Sequence, residues 1–69
     1  METIKIKDEY IKLGQALKLA GFVESGVDAK AEIQEGYVKV NGEVEYQRGK
    51  KIHPGDVIEF EGQQLKVEN

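Results

Sequence analysis

The seven residues Gly36-Tyr37-Val38-Lys39-Val40-Asn41-Gly42 constrain the fold of this chain more than any other stretch. Gly36 suits the left-handed position that closes a helix, because it lacks the Cβ that clashes there. Val38 and Val40 point to one face of a short strand, Tyr37 and Lys39 to the other. Asn41-Gly42 is the favoured pair for a two-residue type I′ turn, where both residues need positive φ. A helix must therefore feed directly into a β-hairpin, and the edge of that hairpin carries Lys39.

The flanking segments supply what such a hairpin packs against. Thr3-Ile4-Lys5-Ile6-Lys7 alternates and reads as a first strand with Ile4 and Ile6 facing in. From Glu9 to Ala20 the residues Ile11, Leu13, Ala16, Leu17 and Ala20 recur at helical spacing, which predicts an amphipathic helix ended by Gly21. Gly14 inside it costs about 1 kcal/mol relative to Ala and allows close packing. Ser25 is placed to cap a second helix running to about Glu35, its hydroxyl accepting from the N–H of Asp28. Ala29 and Ile33 lie one turn apart on that helix and form its core face. Beyond the hairpin, Glu43 to Gln47 forms the return strand and a loop carries Gly49, Pro54 and Gly55. Asp56 to Glu61 and Gln64 to Glu68 make two more strands, with Leu65 and Val67 on the buried face of the last. The expected architecture is α+β: one domain over residues 1–69, with two helices packed on a small, mostly antiparallel, curled sheet.

A chain of 69 residues buries only a modest core. It has no Cys, so neither disulfides nor thiolate metal sites add stability. No apolar run approaches the roughly 20 residues that span a bilayer, and no signal-peptide pattern opens the chain. A soluble cytoplasmic protein with no membrane partner is expected. The net charge is −3, yet the charges are segregated. Glu24 to Glu35 holds four acids and one Lys, and Pro54 to Asn69 again four acids and one Lys. Between them, Tyr37 to His53 holds four bases, Lys39, Arg48, Lys50 and Lys51, against two acids. A phosphate backbone responds to such a local patch more than to the net charge.

Nothing in the chain suggests catalysis. Ser25 is explained as a helix cap, and the single His, His53, has no partner set for a triad or a metal. The acidic pairs Asp8-Glu9 and Glu43-Glu45 fall on exposed elements, where carboxylates stay solvated. Neither phosphate-loop fingerprint is present. So short a chain also has little room for a pocket of about 300 Å³ or more, so no cofactor and no small-molecule substrate are expected.

The basic positions are more informative. Lys12 and Lys18 fall on the first helix, Lys30 on the second, Lys39 on the hairpin strand, and Arg48, Lys50 and Lys51 in the loop beyond. Where the helices pack side by side, several of these converge on one face able to contact phosphates. Tyr37 and Tyr46 admit two roles: stacking on an unpaired base, or covering the apolar surface of the sheet.

The order Lys12-Leu13, Leu17, Gly21, Ser25, Ala29-Lys30, Ile33, then Gly36 through Gly42, then Gly55-Asp56-Val57-Ile58, resembles the S4-type RNA-binding domain. The resemblance covers roughly residues 11–60, and the chain looks like the short, stand-alone bacterial members of that family. It implies the S4-like (αL motif) fold and a surface for structured RNA, ribosomal or transfer RNA, made by the two helices and the hairpin. It also implies a non-catalytic, ribosome-associated role for a monomer. Carried onto this chain, the resemblance implies Lys12, Lys30, Lys39 and Asn41 as RNA-binding residues, and the basic pattern adds Lys18, Arg48, Lys50 and Lys51. The chain departs from the family pattern at Gly26, where Arg commonly follows the capping Ser, and at Gly14, where Asp often follows the Leu. With the acidic net charge, these departures keep a second reading open: a protein-interaction module on the same fold with weak or lost RNA binding.

Overall fold

The hairpin of Val38 to Val44 forms one side of a five-stranded sheet. The computed structural model describes all 69 residues, and the elements follow in the order β1 (Glu2–Lys5), β2 (Ile11–Lys12), α1 (Leu13–Leu19), α2 (Gly26–Gln34), β3 (Val38–Val40), β4 (Glu43–Val44), β5 (Lys51–Ile52), β6 (Val57–Phe60) and β7 (Gln63–Glu68). The large sheet has the order β1-β7-β6-β3-β4, while β2 and β5 form a separate two-stranded ribbon. All neighbours in the large sheet are antiparallel except β1 and β7, which run parallel.

One face of the sheet is apolar. Ile4, Val38, Val40, Ile58, Phe60, Leu65 and Val67 alternate inward and meet Leu13, Ala16 and Leu17 of α1 and Ala29 and Ile33 of α2. Ile52 of the ribbon completes this core, and no polar or charged residue is buried. In α2 the Ser25 hydroxyl accepts from the Asp28 N–H at 3.2 Å, as the capping pattern requires. Gly36 closes the helix at φ +84°, and Asn41 and Gly42 turn the hairpin at φ +52° and +88°. Tyr37 and Tyr46 are largely exposed, at 60% and 62%. The Tyr46 ring lies against Gly36, where a Cβ would come within 3.4 Å of Cε1.

The sequence expectation fails in four places, the first being the return strand expected over Glu43 to Gln47, which ends at Val44. The helix expected from Glu9 begins only at Leu13, because Ile11 and Lys12 are extended and pair with Ile52 and Lys51. Ile11, Lys12 and Leu13 alternate in polarity, a pattern that suits a strand as well as a helix, and the long-range pairing decides between them. Lys12 is therefore not a helical residue; it precedes the first turn with φ −75° and ψ 145°. The expected loop around Gly49 and Pro54 contains β5, the partner of β2. The first strand ends at Lys5 rather than Lys7, although the Ile6 N–H still donates to the Glu68 carbonyl at 2.8 Å.

Candidate nucleic-acid interface

The first N–H groups of a helix need acceptors from outside it. At α1 no side chain provides them, and Lys12 makes no capping bond. Backbone carbonyls from the loop after β4 do so instead. The Leu13 N–H donates to Lys50 O at 2.9 Å, and the Gly14 N–H donates to Arg48 O at 3.1 Å. This draws the loop over the start of α1 and lays Arg48 against Gly14. A Cβ at position 14 would stand 2.6 Å from Arg48 Cγ and 3.2 Å from its Cδ, so the approach depends on glycine.

The result is a small polar cleft of about 290 Å³ lined by Lys12, Gln15, Lys18 and Arg48 together with Gly14, Gly26 and Gly49. Three cations converge there, and neither a carboxylate nor an apolar side chain lines it. Gly26 opens α2, and no atom lies within 4 Å of where its Cβ would be, so the wall on that side stands open. Lys30 follows Gly26 by one turn and is exposed beside the cleft.

The ribbon adds to this charge. Lys12 and Lys51 are direct cross-strand partners, while Ile11 and Ile52 pair on the core side. Like charges directly opposite destabilise a strand pair unless an anion lies across them. The Lys51 ammonium sits 4.9 Å from the centroid of the Tyr10 ring, a contact worth about 0.5–1 kcal/mol at an exposed site. Lys50 is exposed in the same loop. None of the ten Lys and Arg residues lies within 4.0 Å of a carboxylate; the one ion pair is His53 Nδ1 to Asp56 Oδ2 at 3.9 Å. Helical spacing puts Asp28, Glu32 and Glu35 on the side of α2 away from Gly26 and Lys30. An acidic protein thus keeps a cleft free of acids.

The structure does not bring all the expected residues together. Lys12, Lys18 and Arg48 share the cleft; Lys51 pairs across the ribbon from Lys12, and Lys50 and Lys30 are exposed without lining it. Lys39 lies apart. It alternates away from Val38 and Val40, on the sheet face opposite the helices, between Val44 of β4 and Glu59 of β6. Asn41 is engaged within the fold: its Nδ2 donates to Asp56 Oδ1 at 3.0 Å and its Oδ1 accepts from the Val57 N–H at 3.0 Å. Sequence reasoning missed Gln15, and it missed that Gly14 serves Arg48; a glycine inside an apolar-periodic helix was the available signal. The expectation of little room for a pocket also fails. Besides the cationic cleft, an open groove of about 1050 Å³ runs between residues 5–12 and α1, because the N-terminal segment stands off the helix instead of extending it.

Two helices over one face of a mixed, curled sheet, with a cation-lined cleft where a loop caps the first helix, define a small α+β module with a locally basic surface. The S4 domain family profile matches residues 4–68, and the chain belongs to that family. It is 49% identical over 59 residues to the "Probable ribosome maturation protein RlbA" of Bacillus subtilis (strain 168), covering 86% of this chain and 83% of that one. It is 43% identical over 61 residues to the "Putative RNA-binding protein YbcJ" of Escherichia coli (strain K12), covering 88% and 87%. The solution structure of the E. coli YbcJ protein, described as revealing an αL motif involved in RNA binding, superposes with a TM-score of 0.77 at 40% identity. That superposition covers 100% of this chain and 89% of the other.

Proposed function

We propose that this chain is a small, non-catalytic RNA-binding protein that grips structured RNA, ribosomal RNA before transfer RNA, by its phosphates. The observation that carries the reading is the cleft in which Lys12, Lys18 and Arg48 converge with no carboxylate among them. Arg48 offers a planar fork suited to two oxygens of one phosphate, while Lys12 and Lys18 act as point charges on its neighbours. Lys51 opposite Lys12 extends the positive track along the ribbon. Recognition of this kind follows the shape of an A-form backbone, since the deep major groove of duplex RNA is closed to side chains. The names of the two relatives, one for ribosome maturation and one for RNA binding, support the choice of RNA and favour the ribosomal kind. The protein acts as a cytoplasmic monomer in this reading, and needs no cofactor.

The test is fluorescence anisotropy of the protein titrated onto a labelled ribosomal RNA stem-loop at increasing salt. Three phosphate contacts predict a fall of roughly 40-fold in affinity between about 50 and 200 mM salt. Absence of binding at the lower salt to several structured RNAs would remove the reading and leave a protein partner for the same fold.

A further inference from the structure

The cationic cleft has a neighbour. Lys12, Gln15 and Lys18 line it on one side and also line the open groove of about 1050 Å³ on the other, so the two lie side by side along α1. Their chemistry differs. The groove has apolar walls, Ile6, Tyr10, Ile11 and Leu19, which the cleft lacks. Leu19 is 61% exposed there, and Tyr10 is 37% exposed. The Tyr10 ring is steadied by the Lys51 ammonium at 4.9 Å and by the His53 ring at a centroid distance of 6.1 Å. Asp8 and Glu9 also line the groove, together with Lys5 and Lys7.

The lysines of this groove can meet a phosphate as those of the cleft do, but a phosphate alone leaves the apolar and aromatic wall of Ile6, Tyr10, Ile11 and Leu19 uncovered. Paired bases do not cover it either, because their faces are already stacked inside the helix. An unpaired base fits it. Its face covers apolar and aromatic surface, and its phosphates reach the cations next door. Carboxylates at the margin accept hydrogen bonds from exocyclic amino groups, which adenine, cytosine and guanine carry and uracil does not.

Resting on the RNA-binding reading above, we propose that the groove between residues 5–12 and α1 is a nucleotide site that takes one unpaired, amino-bearing base beside the phosphates held by Lys12 and Lys18. Tyr10 is the stacking platform and Leu19 the apolar flank. The preferred RNA is therefore a stem interrupted by a bulge or ending in a loop rather than a continuous duplex.

The experiment compares three labelled stem-loops of otherwise equal sequence: fully paired, with one bulged adenosine, and with one bulged uridine. Binding is read by anisotropy at fixed low salt, and folding of each variant by thermal melting. The wild-type protein should prefer the bulged adenosine over the paired stem by about fivefold or more, the low end of base–aromatic stacking, and the bulged uridine less. Tyr10→Leu should collapse that ratio towards one, and Tyr10→Phe should keep it. Leu19→Gln, at an exposed position, should reduce it independently, which settles the matter if Tyr10→Leu fails to fold. Equal affinity of the wild-type protein for paired and bulged stems overturns this proposal while the phosphate reading stands. A ratio unmoved by both Tyr10→Leu and Leu19→Gln also overturns it. Failure of all three RNAs to bind removes both.

Discussion

Two corners of this molecule are rich in polar residues, and they treat those residues in opposite ways. At the corner joining the hairpin turn to β6, Asn41 and Asp56 satisfy one another. Asp56 Oδ2 accepts from the His53 N–H at 2.7 Å, its Oδ1 accepts from Asn41 Nδ2, and the Asn41 N–H donates to the Val57 carbonyl at 2.8 Å. At the corner where the loop caps α1, the main chain is satisfied but the side chains are not. Lys12, Lys18 and Arg48 converge without a single acid. A closed network of hydrogen bonds holds a fold together. A set of like charges without partners contributes nothing to stability and is complementary to a ligand.

The sharpest way to break this contrast is charge reversal at the open corner. Lys12→Glu combined with Arg48→Glu should lower affinity for a structured RNA by roughly 100-fold or more at low salt, since each charged hydrogen bond lost is worth about 1.5–3 kcal/mol. The melting temperature should stay near the wild-type value, because neither side chain is buried. Asp56→Ala should do the reverse. It removes two exposed hydrogen bonds, from Asn41 Nδ2 and the His53 N–H, costing about 1 kcal/mol of stability by denaturant titration, with RNA affinity unchanged in the folded protein.

Two smaller effects refine the picture. Gly14→Ala forces Arg48 aside, so RNA affinity should fall severalfold; the gain in helix propensity of up to about 1 kcal/mol should offset the strain in a thermal melt. Lys39→Glu should change RNA affinity by less than about twofold, because Lys39 lies on the sheet face away from the cleft. It would still place like charges opposite Glu59, at a cost of a few tenths of a kcal/mol. A large loss of binding in that variant would move the RNA surface to the sheet.

Local chemistry explains which parts of this structure could be read in advance. Ser25, Gly36 and Asn41-Gly42 each encode a cap or turn within a few residues, and the structure has all of them. Leu65 and Val67 are buried as their alternation requires. The ribbon of β2 and β5 was illegible because two-residue strands carry no periodicity, and because Ile11 and Ile52 are partners across 40 intervening residues. The candidate site was half legible for the same reason. The basic residues could be named from the sequence, but which of them meet depends on carbonyls of the 48–50 loop reaching the start of α1. Asn41 looked available because its partner, Asp56, lies 15 positions away.

That capping by main-chain carbonyls has an evolutionary consequence. The bonds from Leu13 and Gly14 use the backbone of Arg48 and Lys50 and make no demand on either side chain. Substitution at 48 or 50 can therefore alter the surface charge here without unfastening the helix, whereas the tolerance at 14 is set by whichever side chain position 48 carries. A lineage can change the charge of this corner by substitutions that leave the bonds fastening α1 in place.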